Sequence, residues 1–212
     1  MGKSKNGMKI HWNGQVGNVV GYSVRGNDYW RSLANHHSDA RSDAQFLQRA
    51  KIAVTSSFVR NVGEVYKIGY AHYNTSKSPR TNFFRQVYRN ALSGSTIDNL
   101  LIDPSKILVS RGSLPPAFII SASVAPASQT VTVTWTDNSD AATASASDKL
   151  MLTIFNSTKM LSVYNSSIAV RSTETASLVY PDDWAGDTIY VYATFLSPSS
   201  ASDSAYLGFY TA

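Results

Sequence analysis

The chain has no cysteine, which excludes a disulfide framework, thiolate catalysis and the usual structural zinc sites. Glutamate is nearly as scarce: Glu64 is alone in the first half and Glu174 alone in the second, so any acid–base work would fall to Asp or His. No apolar run approaches the length of a membrane-spanning helix, so membrane insertion is not expected. The basic opening Met1–Gly7 is not followed by an apolar stretch. No secretory signal is therefore expected, and the expected location is the cytoplasm or a virion.

The constellations that carry chemistry are missing too. His36, His37, Asp39 and His11 come nearest to a metal site, but adjacent histidines point to different sides and no helical i, i+4 pair exists. Asp182, Asp183 and Asp187 form an Asp-rich turn of an ordinary kind. Gly14 to Gly21 lacks the Lys-Ser/Thr ending of a phosphate-binding loop. No catalytic residue, metal, cofactor or small-molecule substrate is expected, and enzyme is the least favoured class.

What is present is enough chain, 212 residues, for one large or two small cores. The net charge of +5 is unevenly spread. Residues 1–116 carry 16 Lys and Arg against 6 Asp and Glu, whereas residues 117–212 carry 3 against 8. The basic half suits a polyanion or an acidic protein face, including the acidic half of a second copy.

The most distinctive stretch runs from Asn13 to Ser32 and sets glycines among β-branched and aromatic residues. Asn13-Gly14 and Arg25-Gly26-Asn27-Asp28 read as turns. They predict a meander of three strands, about Met8 to Trp12, Gln15 to Val24 and Tyr29 to Leu33. Glycines within strands mark bulges or close approach of another backbone. Gly14, Gly17, Asn18, Gly21, Arg25, Gly26, Tyr29 and Arg31 are therefore the candidate subunit-contact residues.

Ser42 and Gln45 fit a capping box. The helix after them has an apolar stripe of Leu47, Ala50, Val54, Phe58, Val62 and Val65, reaching about Tyr66 with Gly63 as a weak point. A second helix is expected from Thr81 or Asn82 to Gly94, burying Phe84, Val87, Tyr88 and Ala91. Nucleic-acid contact is the alternative function, through Lys3, Lys5, Lys9, Arg49, Arg60, Arg85 and Arg89. Ile107-Leu108-Val109 reads as a short strand that completes or covers the meander, and Pro115-Pro116 as a stiff linker.

Beyond the prolines the pattern turns to short strands. Seven are expected: 118–124, 130–135, 149–155, 160–165, 175–180, 188–196 and 205–210. Thr130 to Trp135 alternates with period two and sends Val131, Val133 and Trp135 to one face. Strands at this spacing indicate an antiparallel β-sandwich. The expected fold class is thus an α+β N-terminal unit, a β-meander plus two helices over residues 1–113, followed by an all-β immunoglobulin-like sandwich over 117–212.

Thr130-Val-Thr-Val-Thr-Trp-Thr136 and Ile189-Tyr-Val-Tyr-Ala193 resemble a fibronectin type III or immunoglobulin-like domain. Three further segments are similar to an uncharacterised family found in Bacteroidota and their phages. They are Gly14-x-Val-Gly-Asn-Val-Val-Gly21 with Arg25-Gly26-x-x-Tyr29-x-Arg31-Ser32; Gln48-Arg49-Ala50-Lys51; and Ser105 to Pro115. That resemblance implies a two-domain plan and no activity. The expected function is a non-enzymatic structural or assembly protein, such as a phage virion component. It would self-associate, or join other assembly proteins, through its N-terminal unit.

Overall fold

In the computed structural model, residues 2–3, 13–34, 42–73 and 76–212 are described. They fall into two compact units, Met1–Ser42 and Asp43–Ala212.

Two-residue turns shape the first unit. Strands β1 (Gly2–Lys3), β2 (Gly14–Val16), β3 (Val19–Val24) and β4 (Asn27–Ser32) make an antiparallel sheet in the order β1-β4-β3-β2. Val16 pairs with Val19, which leaves Gly17-Asn18 as the loop, and Gly17 has φ +56°. Glycine at the first central position is the requirement of a type II′ turn. Val24 pairs with Asn27 around Arg25-Gly26, where both residues have positive φ, 52° and 76°. That is the type I′ requirement, met here by an arginine with a glycine.

The expected strand from Gln15 to Val24 is therefore two strands, and Asn13-Gly14 is not a hairpin turn. Gly14 already lies in β2, paired with Gly21, and Asn13 Oδ1 accepts the Ser23 N–H at 3.0 Å. The expected strand at Met8 to Trp12 lies outside the described residues.

The second unit opens with α1 (Asp43–Asn61), whose apolar stripe buries Phe58 and Val59. Gly63, at φ +74°, turns the chain out of the helix, and α2 (Val65–Gly69) follows. Helix α3 (Pro79–Gln86) begins two to three residues before the expected start. Ser78 Oγ accepts the Thr81 N–H at 3.3 Å, and Pro79 takes the first turn, where its missing donor costs nothing. The helix then widens into a π-helical turn over Val87–Ala91. A small hairpin, β5 (Leu92–Ser93) and β6 (Leu101–Ile102), closes this region.

Seven strands follow: β7 (Phe118–Ala125), β8 (Thr130–Thr136), β9 (Lys149–Asn156), β10 (Leu161–Val170), β11 (Thr175–Val179), β12 (Thr188–Leu196) and β13 (Ala205–Thr211). They form a three-stranded sheet, β11-β8-β7, and a four-stranded sheet, β10-β9-β12-β13, with every pairing antiparallel. The protein is mixed α+β, mostly sheet with few helices. Alternate residues of both sheets, among them Val131, Val133, Trp135, Leu152, Ile154 and Val191, enter one core.

β9 reads Leu-Met-Leu-Thr-Ile-Phe without polar alternation, and residues Leu150 to Asn156 are all buried. Such a run marks a strand covered on both faces. Its second face, with Met151 and Phe155, joins Tyr192 of β12 against Phe58, Phe83 and Val87 of the helical segments in a second core. The helices thus share a core with the four-stranded sheet, whereas the sequence had grouped them with the meander in a domain of residues 1–113.

The connecting strip 107–114 explains the difference. Ile107 and Val109 are buried in the helix–sheet core but form no strand. Their surroundings are loops: Ser204 Oγ accepts the Val109 N–H at 3.0 Å, and Ser110 Oγ lies 2.7 Å from the Ser202 carbonyl. Pro115 and Pro116 are not a free linker either. Their carbonyls accept from Arg171 Nη2 and Asn138 Nδ2, each at 3.0 Å.

Arg171 is wholly buried and pairs with buried Asp148, with Nε and Nη2 each 3.1 Å from Oδ2. Its guanidinium lies 3.9 Å from the centre of the Phe195 ring, and its carbonyl accepts the Trp135 indole N–H at 2.7 Å. Removing one member leaves the other charge buried and unpaired. Arg171→Met should cost about 3–5 kcal/mol in urea unfolding. Gly69 faces a tighter steric limit, since a Cβ there would lie 2.3 Å from the Val109 carbonyl oxygen. Gly69→Ala should cost about 1–3 kcal/mol by the same measurement; an unchanged midpoint would show that the strip can yield.

Candidate functional site: an arginine-lined cleft

Asn82, Arg85, Gln86, Arg89 and Asn90 recur at three- and four-residue spacing along α3 and the π-helical turn, so they share one helical face. Phe83, Val87 and Ala91 occupy the other side and are buried in the helix–sheet core. The polar face walls a cleft of about 320 Å³, completed by Tyr70, Tyr73 and Arg111.

Arg111 reaches the cleft from the buried strip, where its N–H donates to the Gly69 carbonyl at 3.1 Å. Its guanidinium lies 5.0 Å from the centre of the Tyr73 ring, close enough for a cation–π contact. Tyr73 packs edge-on to Tyr70, ring centres 5.7 Å apart, and Tyr70 Oη donates to the Leu108 carbonyl at 2.8 Å. The aromatic pair thereby fixes one wall. Asn82 and Gln86 are 6% and 5% exposed. Gln86 Nε2 donates to the Lys106 carbonyl at 2.9 Å, and its Oε1 has no donor among the described residues.

Among the described residues no acidic side chain lines the cleft, and none of Arg85, Arg89 and Arg111 pairs with a carboxylate. Three guanidinium groups lining one concavity are chemically suited to holding an anion. Tyr73 also lines an adjoining groove of about 570 Å³ walled by Ser113, Ser197, Ser199 and Ser200.

The cleft unites Arg85 and Arg89, and Arg49 and Arg60 do not line it. Arg49 is exposed on α1, 6.0 Å from the centre of the Phe46 ring, and Arg60 is exposed in the last turn of α1. Lys3 is a β1 residue paired with Tyr29, while Lys5 and Lys9 lie outside the described residues. Arg111, Tyr73 and the amides were missed in the sequence. The all-polar row at 82, 85, 86, 89 and 90 was the available signal, but nothing local points to Arg111.

The expected subunit-contact residues lie together in the first unit. Gly14 and Gly21 form one cross-strand row with Trp30; Arg31 pairs with Val20, and Tyr29 with Tyr22, their rings stacked 5.6 Å apart. Gly17, Asn18, Arg25 and Gly26 make the two turns. In the Asp-rich turn, Lys159 Nζ lies 2.8 Å from Asp183 Oδ2 and 3.9 Å from Asp187 Oδ2. No group of three or more potential metal ligands occurs among the described residues. His11, His36, His37 and Asp39 lie outside them.

These features define a β-rich α+β protein with an arginine cleft, in which no helix among the described residues is long and apolar enough to cross a membrane. The chain belongs to a family of unknown function (DUF6266), whose model matches residues 10–208. A search of curated proteins finds no match.

Burial pushes the Tyr70 phenol well above its ordinary range; Arg111 opposes the shift, while Asp203 and Tyr73 add to it. Burial moves Tyr192 in the same direction. A phenol raised on folding contributes stability below the unfolded pKa, which is then lost as pH rises towards the folded one. Unfolding free energy should therefore fall above about pH 10, and less steeply in Tyr70→Phe, as followed by urea titration at stepped pH.

Proposed function

We propose that this protein is a non-enzymatic structural or assembly component, of the kind that builds a phage virion, which self-associates through its N-terminal sheet. The observation that carries this reading is apolar surface on that sheet: Val16 is 63% exposed, with Val19, Val24 and Leu33 also exposed. Among the described residues, Val16 sits in an edge strand, β2, paired on one side only. An edge with unpaired backbone groups and exposed valines is a template for another strand or chain. Gly14, exposed on the same strand, adds bare backbone that a partner can approach closely.

Charge favours a second copy as that partner. Arg25 and Arg31 are exposed in the first unit, and Asp140, Glu174, Asp182 and Asp183 are exposed in the second. A contact between different surfaces of successive copies generates rings or filaments.

The strand order supports a fibronectin type III-like sandwich as the displayed module. Lettered in sequence, β7 to β13 give A-B-E in one sheet and C′-C-F-G in the other, with Trp135 buried on the second strand. The Bacteroidota or phage setting rests on the resemblance of the glycine-rich and Ser105–Pro115 segments. The nucleic-acid alternative has less support, because Arg49 and Arg60 do not join Arg85 and Arg89 in the cleft.

Size-exclusion chromatography with light scattering tests this reading, run with and without DNA and RNA. The expected mass is a multiple of the 23.1 kDa chain, unaffected by nucleic acid and reduced in Val16→Asp. A strict monomer at every concentration, shifted only by nucleic acid, would overturn it.

A further inference from the structure

We infer that the cleft between α3 and Arg111 is a binding site for a small phosphomonoester, such as a sugar phosphate or a nucleotide. The inference is independent of assembly through the N-terminal sheet. Three observations meet in it. Arg85, Arg89 and Arg111 come from two separate segments to line one concavity, and none pairs with a carboxylate among the described residues. Guanidinium groups bind phosphate oxygens through parallel N–H donors, and several together match a dianion better than a monoanionic carboxylate.

The cleft is also built and not merely a charged surface. Arg111 is positioned by its own backbone bond to Gly69 and by the face of Tyr73, which is packed against buried Tyr70. Along the opposite wall, the π-helical turn Val87–Ala91 carries Arg89 and Asn90. Such turns interrupt regular helix geometry and recur at functional sites. A volume of about 320 Å³ falls within the range of small-ligand pockets, not that of a groove for a duplex.

The third observation is the order of that wall. Gln86 lines the cleft with its amide nitrogen donating to the Lys106 carbonyl at 2.9 Å, which fixes the side chain beside Arg85 and Arg89.

The test is isothermal titration of the full chain at low ionic strength with glucose 6-phosphate and adenosine monophosphate, with glucose and adenosine as uncharged controls. At least one phosphomonoester should bind and its uncharged counterpart should not. Arg89→Gln and Arg111→Gln should each weaken binding about tenfold or more, the effect of losing a charge-assisted hydrogen bond. Arg60→Gln, exposed on α1 and outside the cleft, should leave binding unchanged. Melting curves check that the variants fold; if Arg111→Gln does not, the exposed Arg89→Gln carries the comparison. The site is overturned if neither phosphomonoester binds, if the uncharged sugar or nucleoside binds equally well, or if Arg60→Gln weakens binding as much as Arg89→Gln. Polynucleotide binding that saturating glucose 6-phosphate does not displace, and that Arg89→Gln does not weaken, would place the anion contact on the general basic surface and overturn it as well.

Discussion

The buried pair of Arg171 and Asp148 constrains the second unit more than any single apolar contact. Taking both charges out of water is costly, and the cost is recovered only if their remaining hydrogen-bonding groups find partners. Those partners come from distant places. Asn138 supplies a side-chain oxygen to Nη1, Pro115 a carbonyl to Nη2, and Ser145 an N–H to Asp148. The loop after β8, the strip before β7 and the junction of β10 with β11 are therefore fixed together. Phe195 covers the guanidinium, and Trp135 is tied to the Arg171 carbonyl. Polar satisfaction and core packing are a single arrangement here, and a long loop of small residues, Asp137 to Asp148, gains definition from one arginine.

The same economy accounts for the cleft. The residues that wall it are anchored by contacts serving the core: Tyr70 through the Leu108 carbonyl, Gln86 through the Lys106 carbonyl, and Arg111 through Gly69. Gly69 must be glycine for the strip to pass so close. The close approach that lets Val109 enter the helix–sheet core also delivers Arg111, two residues later, to the rim of the cleft. Stability and site geometry thus depend on one backbone crossing.

Local pattern made much of this fold legible. The seven strands of the two sheets follow from alternation and turn spacing, and each lies within a residue or two of its expected bounds except β10, which runs to Val170 across a register shift after Asn165. The apolar stripe of α1 and the break at Gly63 were legible for the same reason. The errors arise where local chemistry is ambiguous or the partner is remote. Asn13-Gly14 and Gly17-Asn18 are both plausible turns, and pairing of Val16 with Val19 decides between them. Ile107 to Val109 has strand composition, yet the Val109 N–H donates to the distant Ser204 side chain and the Ile107 N–H to the Pro104 carbonyl three residues back. The consecutive prolines suggested a linker because nothing nearby reveals that Arg171 would bind one of their carbonyls. Arg85 and Arg89 were visible as a helical pair; Arg111 was not, because a fold and not a periodicity brings it to them.

The core shared by the helices and the four-stranded sheet has a consequence for synthesis. Helices α1 to α3 leave the ribosome early, but their apolar faces are completed by Met151 and Phe155 of β9 and by Tyr192 of β12. A nascent chain must therefore hold amphipathic helices open until β9 and β12 have been made, since short helices gain most of their stability from tertiary packing. The abundance of Lys and Arg in the first half would favour the solubility of those waiting segments through mutual repulsion. Part of the charge asymmetry would then serve the protein before it has folded at all.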